Sequence, residues 1–262
     1  MRILVTNDDG IISDGLAVLA RRLTELGEVL VVAPAGEWSG ASMALGSLEG
    51  AGLPRVRDAR IPGVDRAYAV DGPPGSCVLL ARFEAFGPLP DLVVSGINLG
   101  ANTGRSVYHS GTVGAAVTAR LGHINALAVS QVSGDPMHWE VAAELGALAA
   151  EGLLTDPPDP AVVASLNVPN VTSLDEIRGL RTVGIANPPL HRVASAELRP
   201  LPHREGEYKV VVEWPSPPGP QPETTDTGAV IAGYATLTWI GPLTPAPPAQ
   251  RGAEQALIAR LG

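Results

Sequence analysis

Short hydrophobic runs alternate with amphipathic segments through the first two thirds of the chain. The runs span residues 2–6, 29–33, 67–70, 92–95, 126–130 and 162–167. Between them, hydrophobic residues at helical spacing predict helices at 15–26, 77–86, 112–121 and 136–151, the last opening with Asp135 as N-cap and Pro136 at its first position. Continuous apolar strands separated by helices are typical of a parallel sheet. The pattern therefore predicts an α/β fold with helices on both faces of a mostly parallel sheet.

The C-terminal part of the chain does not continue this regular alternation of strands and helices. Its apolar runs predict strands at 183–186, 193–198, 208–214 and 235–240, and helices at 227–234 and 253–261. Residues 215–222 are too dense in proline for a helix or a central strand, so they predict an extended arm. We expect this arm to carry residues 225–243 away from their own core and onto a neighbouring subunit. The predicted division is a core over 1–180 and a C-terminal extension over 181–262.

The amino-acid composition limits which kinds of binding partner and which cellular compartment we expect for the protein. The 262 residues are 45% hydrophobic, which is typical of a globular protein, and carry a formal net charge of -9. That charge disfavours a nucleic-acid polymer or an anionic membrane as partner. Cys77 is the only cysteine, and the chain begins without a basic and then apolar leader. We therefore expect a cytoplasmic protein.

Adjacent carboxylates follow the first predicted strand. Asp8 and Asp9 repel each other unless a cation or a proton intervenes. In open α/β sheets the carboxyl ends of the strands are where ligands bind. Asn, Asp and Gly are also ordinary turn residues, so this segment alone fits a solvated turn equally well.

Further polar loops follow the next strands and strengthen the ligand interpretation. Ser39 follows the run at 29–33, and Asn98 follows the run at 92–95. In a parallel sheet these loops share one edge with Asp8 and Asp9. Two carboxylates, a hydroxyl and an amide carbonyl suit Mg²⁺ or Mn²⁺. The sequence therefore predicts one divalent metal ion held by Asp8, Asp9, Ser39 and Asn98.

An anion site is predicted beside this metal. Ser110, Gly111 and Thr112 precede a helix, so backbone N–H groups and hydroxyls can face an anion there. A capped helix with small residues for close packing fits the same segment. His109 could donate to a substrate or protonate a leaving group. A metal beside an anion cradle predicts a phosphomonoesterase that uses metal-activated water, with Asp8 and Asp9 as its catalytic residues.

Taken in order, these segments resemble the SurE family, the stationary-phase survival proteins that are nucleotidases. The resemblance spans nearly the whole length. The matching segments are Asn7-Asp8-Asp9-Gly10, Val32-Ala33-Pro34, Ser39-Gly40-Ala41-Ser42, Val70-Asp71-Gly72, Asp91-Leu92-Val93-Val94-Ser95-Gly96-Ile97-Asn98, Gly100 with Asn102, Ser110-Gly111-Thr112-Val113, Thr225-Asp226 and Gly233-Tyr234. The chain departs from the family pattern in residues 35–38, in Pro73 and in His109, where a tyrosine is common.

The resemblance implies a Rossmann-like core and a 5′-nucleotidase that hydrolyses nucleoside 5′- and 3′-monophosphates. It implies the metal positions already predicted and phosphate contacts at Asn102, Ser110, Gly111 and Thr112. It also implies a homodimer or homotetramer with an exchanged C-terminal arm. Two alternatives stay open: an exopolyphosphatase or other small-phosphoester phosphatase, and a non-catalytic sensor of metal and nucleotide.

Overall fold

A nine-stranded sheet forms the centre of the molecule, in the order β3-β4-β2-β1-β5-β6-β7-β11-β8. The computed structural model describes residues 1–186, 195–204, 206–213 and 221–241. The predicted helix at 253–261 lies outside the described residues, as do most of the proline-rich arm and parts of the strands expected at 193–198 and 208–214. The strands are β1 Arg2–Thr6, β2 Glu28–Pro34, β3 Val56–Ile61, β4 Val64–Val70, β5 Leu92–Leu99, β6 Asn125–Gln131, β7 Val163–Val168, β8 Leu180–Thr182, β9 Ser195–Pro200, β10 Tyr208–Glu213 and β11 Ala235–Ile240.

Helices cover both faces of this sheet. They are α1 Asp14–Leu23, α2 Pro74–Arg82, α3 Gly111–Arg120, α4 Trp139–Thr155 and the short α5 Asp226–Ile231. The apolar positions of α1 and α4 pack on one face, and those of α2 and α3 pack on the other. Residues Leu16, Leu19 and Leu23 are fully buried, as their helical spacing predicts. Among the described residues, no helix is long and apolar enough to cross a membrane.

The sheet is mostly parallel, which confirms the predicted fold class. Strands β4, β2, β1, β5, β6 and β7 run parallel to one another. Their apolar residues are buried on both faces, and every residue of β6 is buried. Only β3 and β11 run antiparallel to their neighbours β4 and β7. Because β1 lies between β2 and β5 and the three strands are parallel, the loops that follow them lie side by side at the same edge of the sheet.

The start of α4 was predicted wrongly. The helix begins at Trp139 rather than at Asp135 and Pro136. The side chain of Asn170 accepts the His138 N–H at 2.9 Å, and the Gln131 side chain donates to the His138 carbonyl at 2.8 Å. Because these polar side chains already satisfy the backbone of His138, the preceding residues form a loop instead of a first helical turn.

Edge strands also differ from the pattern. Strand β3 was not predicted, because most of its residues are exposed and three of its six residues are charged. The strand expected at 183–186 lies three residues earlier, as β8. Gly184 forms only an isolated bridge to Thr225. Neither error alters the central sheet, since both affect strands with few buried side chains.

The expected path of residues 225–243 is wrong for the part that the structure describes. Helix α5 is buried over Asp226–Val230, and β11 pairs with β7 of its own chain. The part of the extension that lies apart from the nine-stranded sheet is instead the antiparallel hairpin formed by β9 and β10. Burial of apolar residues in α5 and β11 explains why they stay with their own core.

A pair of helical glycines tests the packing around α3. A Cβ on Gly114 would lie 2.0 Å from the carbonyl oxygen of Ser42, whereas a Cβ on Gly152 in α4 would meet nothing within 4 Å. We expect Gly114→Ala to destabilise the protein by about 1–3 kcal/mol because backbone must move. The control Gly152→Ala should stabilise it by roughly 0.5–1 kcal/mol. Urea unfolding measures both, and equal effects would contradict the described packing.

Candidate active site

Strand β1 ends in a buried carboxylate that several elements surround. Asp8 is 2% exposed, and the Thr112 hydroxyl from α3 donates a hydrogen bond to its Oδ1. The same hydroxyl lies 3.1 Å from Oδ1 of Asn98. The Asn98 amide group donates to the Gly100 carbonyl at 2.6 Å, which turns its oxygen toward Thr112 and Asp8. The structure thus brings together two of the predicted metal ligands, Asp8 and Asn98, and one predicted substrate residue.

This centre holds more acceptors than donors. The Thr112 hydroxyl has one proton, which Asp8 and Asn98 share as acceptors. The second carboxylate adds to the imbalance, because Asp9 receives a single N–H from Leu99 at 3.2 Å. Acceptor oxygens that converge without enough donors are the arrangement that a hard cation satisfies.

The pKa values of both carboxylates reflect this imbalance. Burial, together with the negative charges of Asp8 and Glu37, raises the pKa of Asp9 from 3.8 to about 6, while the Leu99 N–H acts in the opposite direction. Burial also raises the pKa of Asp8, although the Thr112 hydroxyl and backbone N–H groups of Asp8, Thr112 and Gly111 oppose it. Among the residues that the structure describes, no positive side chain contributes to either pKa.

The loop after β2 is attached to Asp8 through the backbone. The Trp38 N–H donates to the Asp8 carbonyl at 2.7 Å, which holds the residue before Ser39 at Asp8. The Ser39 hydroxyl donates to Oε1 of Glu37 at 3.0 Å. The sequence interpretation missed Glu37, because a single glutamate in an exposed loop carries no pattern that distinguishes it from a solvated residue.

The first turn of α3 faces Asp8, where the sequence predicted a cradle for phosphate. A Cβ on Gly111 would lie 2.7 Å from the Asp8 Cβ, so only glycine allows this approach. The Thr112 hydroxyl and the N–H groups of Gly111 and Thr112 act on Asp8 itself. Ser110 accepts the Val113 N–H at 3.1 Å and caps the helix. The capped-helix alternative therefore describes this turn, and the Ser110 proton is left to donate elsewhere.

Asn102 and His109 border the loop between β5 and α3. Asn102 is buried, and its amide group donates to the Ser130 hydroxyl at 2.9 Å. The side chain of His109 is exposed, and its carbonyl accepts the Ser42 N–H at 3.1 Å. Both residues lie in the loop that ends at Ser110, so the backbone conformation of this loop determines the positions of the Asn102 and His109 side chains.

The residues present fit a divalent metal of the Mg²⁺ or Mn²⁺ type. The described part of the chain holds no group of three or more His, Cys, Asp or Glu side chains suited to a metal. The candidate site is of another kind, with two carboxylates supplemented by the neutral oxygens of Asn98 and Ser39. Its unbalanced acceptors and raised pKa values are what a bound cation would relieve.

Comparison with known proteins identifies the family of the chain. Residues 3–189 match the family model described as Survival protein SurE. The chain belongs to the SurE family. It is 39% identical over 247 residues to the 5′-nucleotidase SurE of Aeromonas hydrophila, which covers 93% of this chain and 92% of that protein. It is 38% identical over 243 residues to the 5′/3′-nucleotidase SurE of Erwinia tasmaniensis, covering 91% and 89% of the two chains.

A solved structure of the family shares the fold. The crystal structure of SurE protein from Aquifex aeolicus superimposes with a TM-score of 0.80 at 27% identity, over 98% of this chain and 100% of that chain. The predicted membership of the family and the Rossmann-like α/β fold are thereby confirmed.

The pKa of Asp9 gives a test of the acidic pair in the metal-free protein. With a folded pKa of about 6 against 3.8 ordinarily, the carboxyl group contributes stability below pH 3.8 that is lost as the pH rises to about 6. Asp9→Asn removes this loss, so we expect its metal-free melting temperature at pH 7 to exceed that of the wild type by roughly 2–4 °C or more.

The pH profile of the melting temperature in chelator makes this measurement. Asp58→Asn serves as the control, because Asp58 is exposed on β3 and should follow the wild-type profile. If Asp9→Asn follows the wild-type profile as well, the acidic pair is not destabilising the metal-free fold.

Proposed function

We propose that this protein is a metal-dependent phosphomonoesterase that hydrolyses nucleoside 5′-monophosphates, and 3′-monophosphates, to nucleoside and phosphate. The observation that carries the proposal is the buried, acceptor-rich centre of Asp8, Asp9 and Asn98 at the carboxyl edge of the sheet. The nucleotide substrate is supported by the names of the relatives, which are 5′- and 5′/3′-nucleotidases.

Each residue has a proposed role that follows from its surroundings. Asp8 and Asp9 hold the metal, with Asn98 and Ser39 as the remaining ligands. When bound, the ion supplies positive charge that screens the phosphate and lowers the pKa of an attacking water. Thr112 and Gly111 orient Asp8 rather than the substrate.

Binding of the phosphate falls to the loop before α3. The Ser110 hydroxyl keeps its proton for donation, and Asn102 is the amide side chain of the same loop. We propose that these two groups bind the phosphate, with Gly111 and Thr112 completing the turn. His109 is exposed beside them and is the candidate donor to the leaving oxygen. A cytoplasmic location stays a prediction from the single cysteine.

A panel of phosphate esters with and without metal tests the activity. We expect phosphate release from nucleoside 5′- and 3′-monophosphates. Excess chelator should abolish this release and Mn²⁺ or Mg²⁺ should restore it, because no positive side chain in the described part of the chain balances the carboxylates. Asp8→Asn should lower the rate by at least about 100-fold, the scale expected when a charged group at the reaction centre is lost. Asp58→Asn should keep the wild-type rate.

Several outcomes would redirect or end the proposal. Full activity in chelator after dialysis would remove the metal from the mechanism. Faster release from short polyphosphate than from nucleotides would favour the exopolyphosphatase alternative. Nucleotide binding without any release would favour the sensor.

We further propose a homodimer or homotetramer in which the hairpin of β9 and β10 is exchanged between subunits. The register pairs Leu198 with Val210 and places Ala196, Pro200, Tyr208 and Val212 on the same face. Leu198, Tyr208 and Val210 are 62%, 56% and 56% exposed. A two-stranded hairpin with a wholly apolar, exposed face is unstable alone in water, so a second copy of the chain is the proposed cover.

Two valines on opposite faces of β10 test the exchange. We expect Val210→Lys to shift the protein to a smaller assembly, because it places a charge on the face that the partner covers. Val211→Lys is the matched control, since Val211 lies on the other face beside Glu197. Light scattering measures the mass. A wild-type protein that is already a monomer, or an identical effect of both variants, would contradict the exchanged hairpin.

A further inference from the structure

The loop between β5 and α3 carries groups that the proposed function assigns to phosphate. It runs from Gly100 to Ser110, includes Asn102 near its start and His109 near its end, and contains a 3-10 helix over Gly104–Tyr108. This short helix shapes the middle of the loop, whereas contacts with other elements fix where the loop lies on the core. The position of the substrate groups therefore depends on what anchors this backbone.

The first anchor is a buried amide at the end of β7. Asn167 is 1% exposed, and its Oδ1 accepts the Asn102 N–H at 2.8 Å. Its Nδ2 donates to the Asn102 carbonyl at 3.2 Å. Both polar groups of the Asn102 backbone are thus held by one side chain, which fixes the peptide at the start of the loop.

The second anchor is a buried carboxylate from the C-terminal extension. Asp226 is 1% exposed and lies in the first turn of α5. One oxygen accepts the Gly104 N–H at 2.8 Å. The other accepts the Ala186 N–H at 2.7 Å and the N–H of its own neighbour Thr227 at 2.7 Å.

This carboxylate has no cation to balance it in the part of the chain that the structure describes. Burying a carboxylate without a positive partner is unfavourable unless several donors satisfy it, and here three backbone N–H groups do so. Capping does not explain this carboxylate, because α5 is already capped by Thr225, whose hydroxyl accepts the Gly228 N–H at 3.2 Å. What the charge adds is a strong, short hydrogen bond to Gly104, in a loop that is 122 residues away in sequence.

We infer that Asp226 and Asn167 form a loop clamp, a pair of positioning residues that fix the β5–α3 loop so that its groups meet the substrate phosphate. The inference rests on the proposed function and goes beyond it, because neither residue reaches the substrate or the metal ligands. Through Asp226, the C-terminal extension decides how well the core binds phosphate. The metal ligands Asp8, Asp9 and Ser39 lie on other loops. The fourth, Asn98, lies on β5 and is held by the Gly100 carbonyl, ahead of both anchors in the chain.

Isosteric substitutions separate this role from general stability. Asp226→Asn places an amide against backbone N–H groups, and Asn167→Asp places a carboxylate against the Asn102 carbonyl. We expect each to raise KM for nucleoside monophosphates, and the inhibition or dissociation constant of inorganic phosphate, by about tenfold or more. The dissociation constant of Mn²⁺, measured by calorimetry without substrate, should stay within about twofold of wild type. Asp175→Asn, an exposed aspartate in the turn Leu174–Glu176, should change neither constant.

The two variants keep the inference testable if one fails to fold, since each breaks a different anchor and circular dichroism identifies a folded protein. Unchanged phosphate affinity in a folded variant would overturn the clamp. Metal and phosphate affinity that fall in equal proportion would overturn it too, because that is the signature of a general loss of structure. Binding of inorganic phosphate does not require turnover, so a wild-type protein without nucleotidase activity would refute the proposed function and leave this test intact.

Discussion

The buried carboxylate of Asp8 is the constraint on which the site depends. It lies two residues after the end of β1 and is 2% exposed, so water cannot reach it freely and the protein must supply its partners. Thr112 provides a hydroxyl, Gly111 provides close approach without a Cβ, and Trp38 attaches the next loop to the Asp8 carbonyl. The glycine that begins α3 is thus a consequence of one charged group.

The partners of the acidic pair are too few to balance it. Asp9 adds a second negative charge with a single N–H, and Asn98 adds an acceptor oxygen instead of a donor. A fold that keeps such a centre is less stable without a cation than a neutral one would be. Sites with unrelieved charge or strain are typical of function, since the instability is the driving force for binding. The raised pKa values of the two carboxylates and the proposed metal therefore have one cause, which is the excess of acceptor oxygens at this site.

The C-terminal extension has two parts with different positions in the molecule. Strand β11 belongs to the nine-stranded sheet, and Asp226 at the start of the buried helix α5 reaches the loop before α3. The hairpin of β9 and β10 extends apart from that sheet with an apolar face exposed. The two proposed roles of the extension are therefore separate: Asp226 anchors the substrate loop, and the hairpin is the proposed contact with a second copy.

The sequence by itself determined the parallel core and the edge at which the site lies. Continuous apolar runs can be buried only in a sheet covered on both faces, and parallel strands send their following loops to one edge, so Asp8, Asp9 and Asn98 converge for topological reasons. Tertiary structure decided what periodicity does not encode. The direction of the first turn of α3 toward Asp8, the late start of α4 and the anchoring of Gly104 by Asp226 all depend on contacts between residues far apart in the chain. Single polar side chains make these contacts, and a single residue has no repeat from which its partner can be inferred.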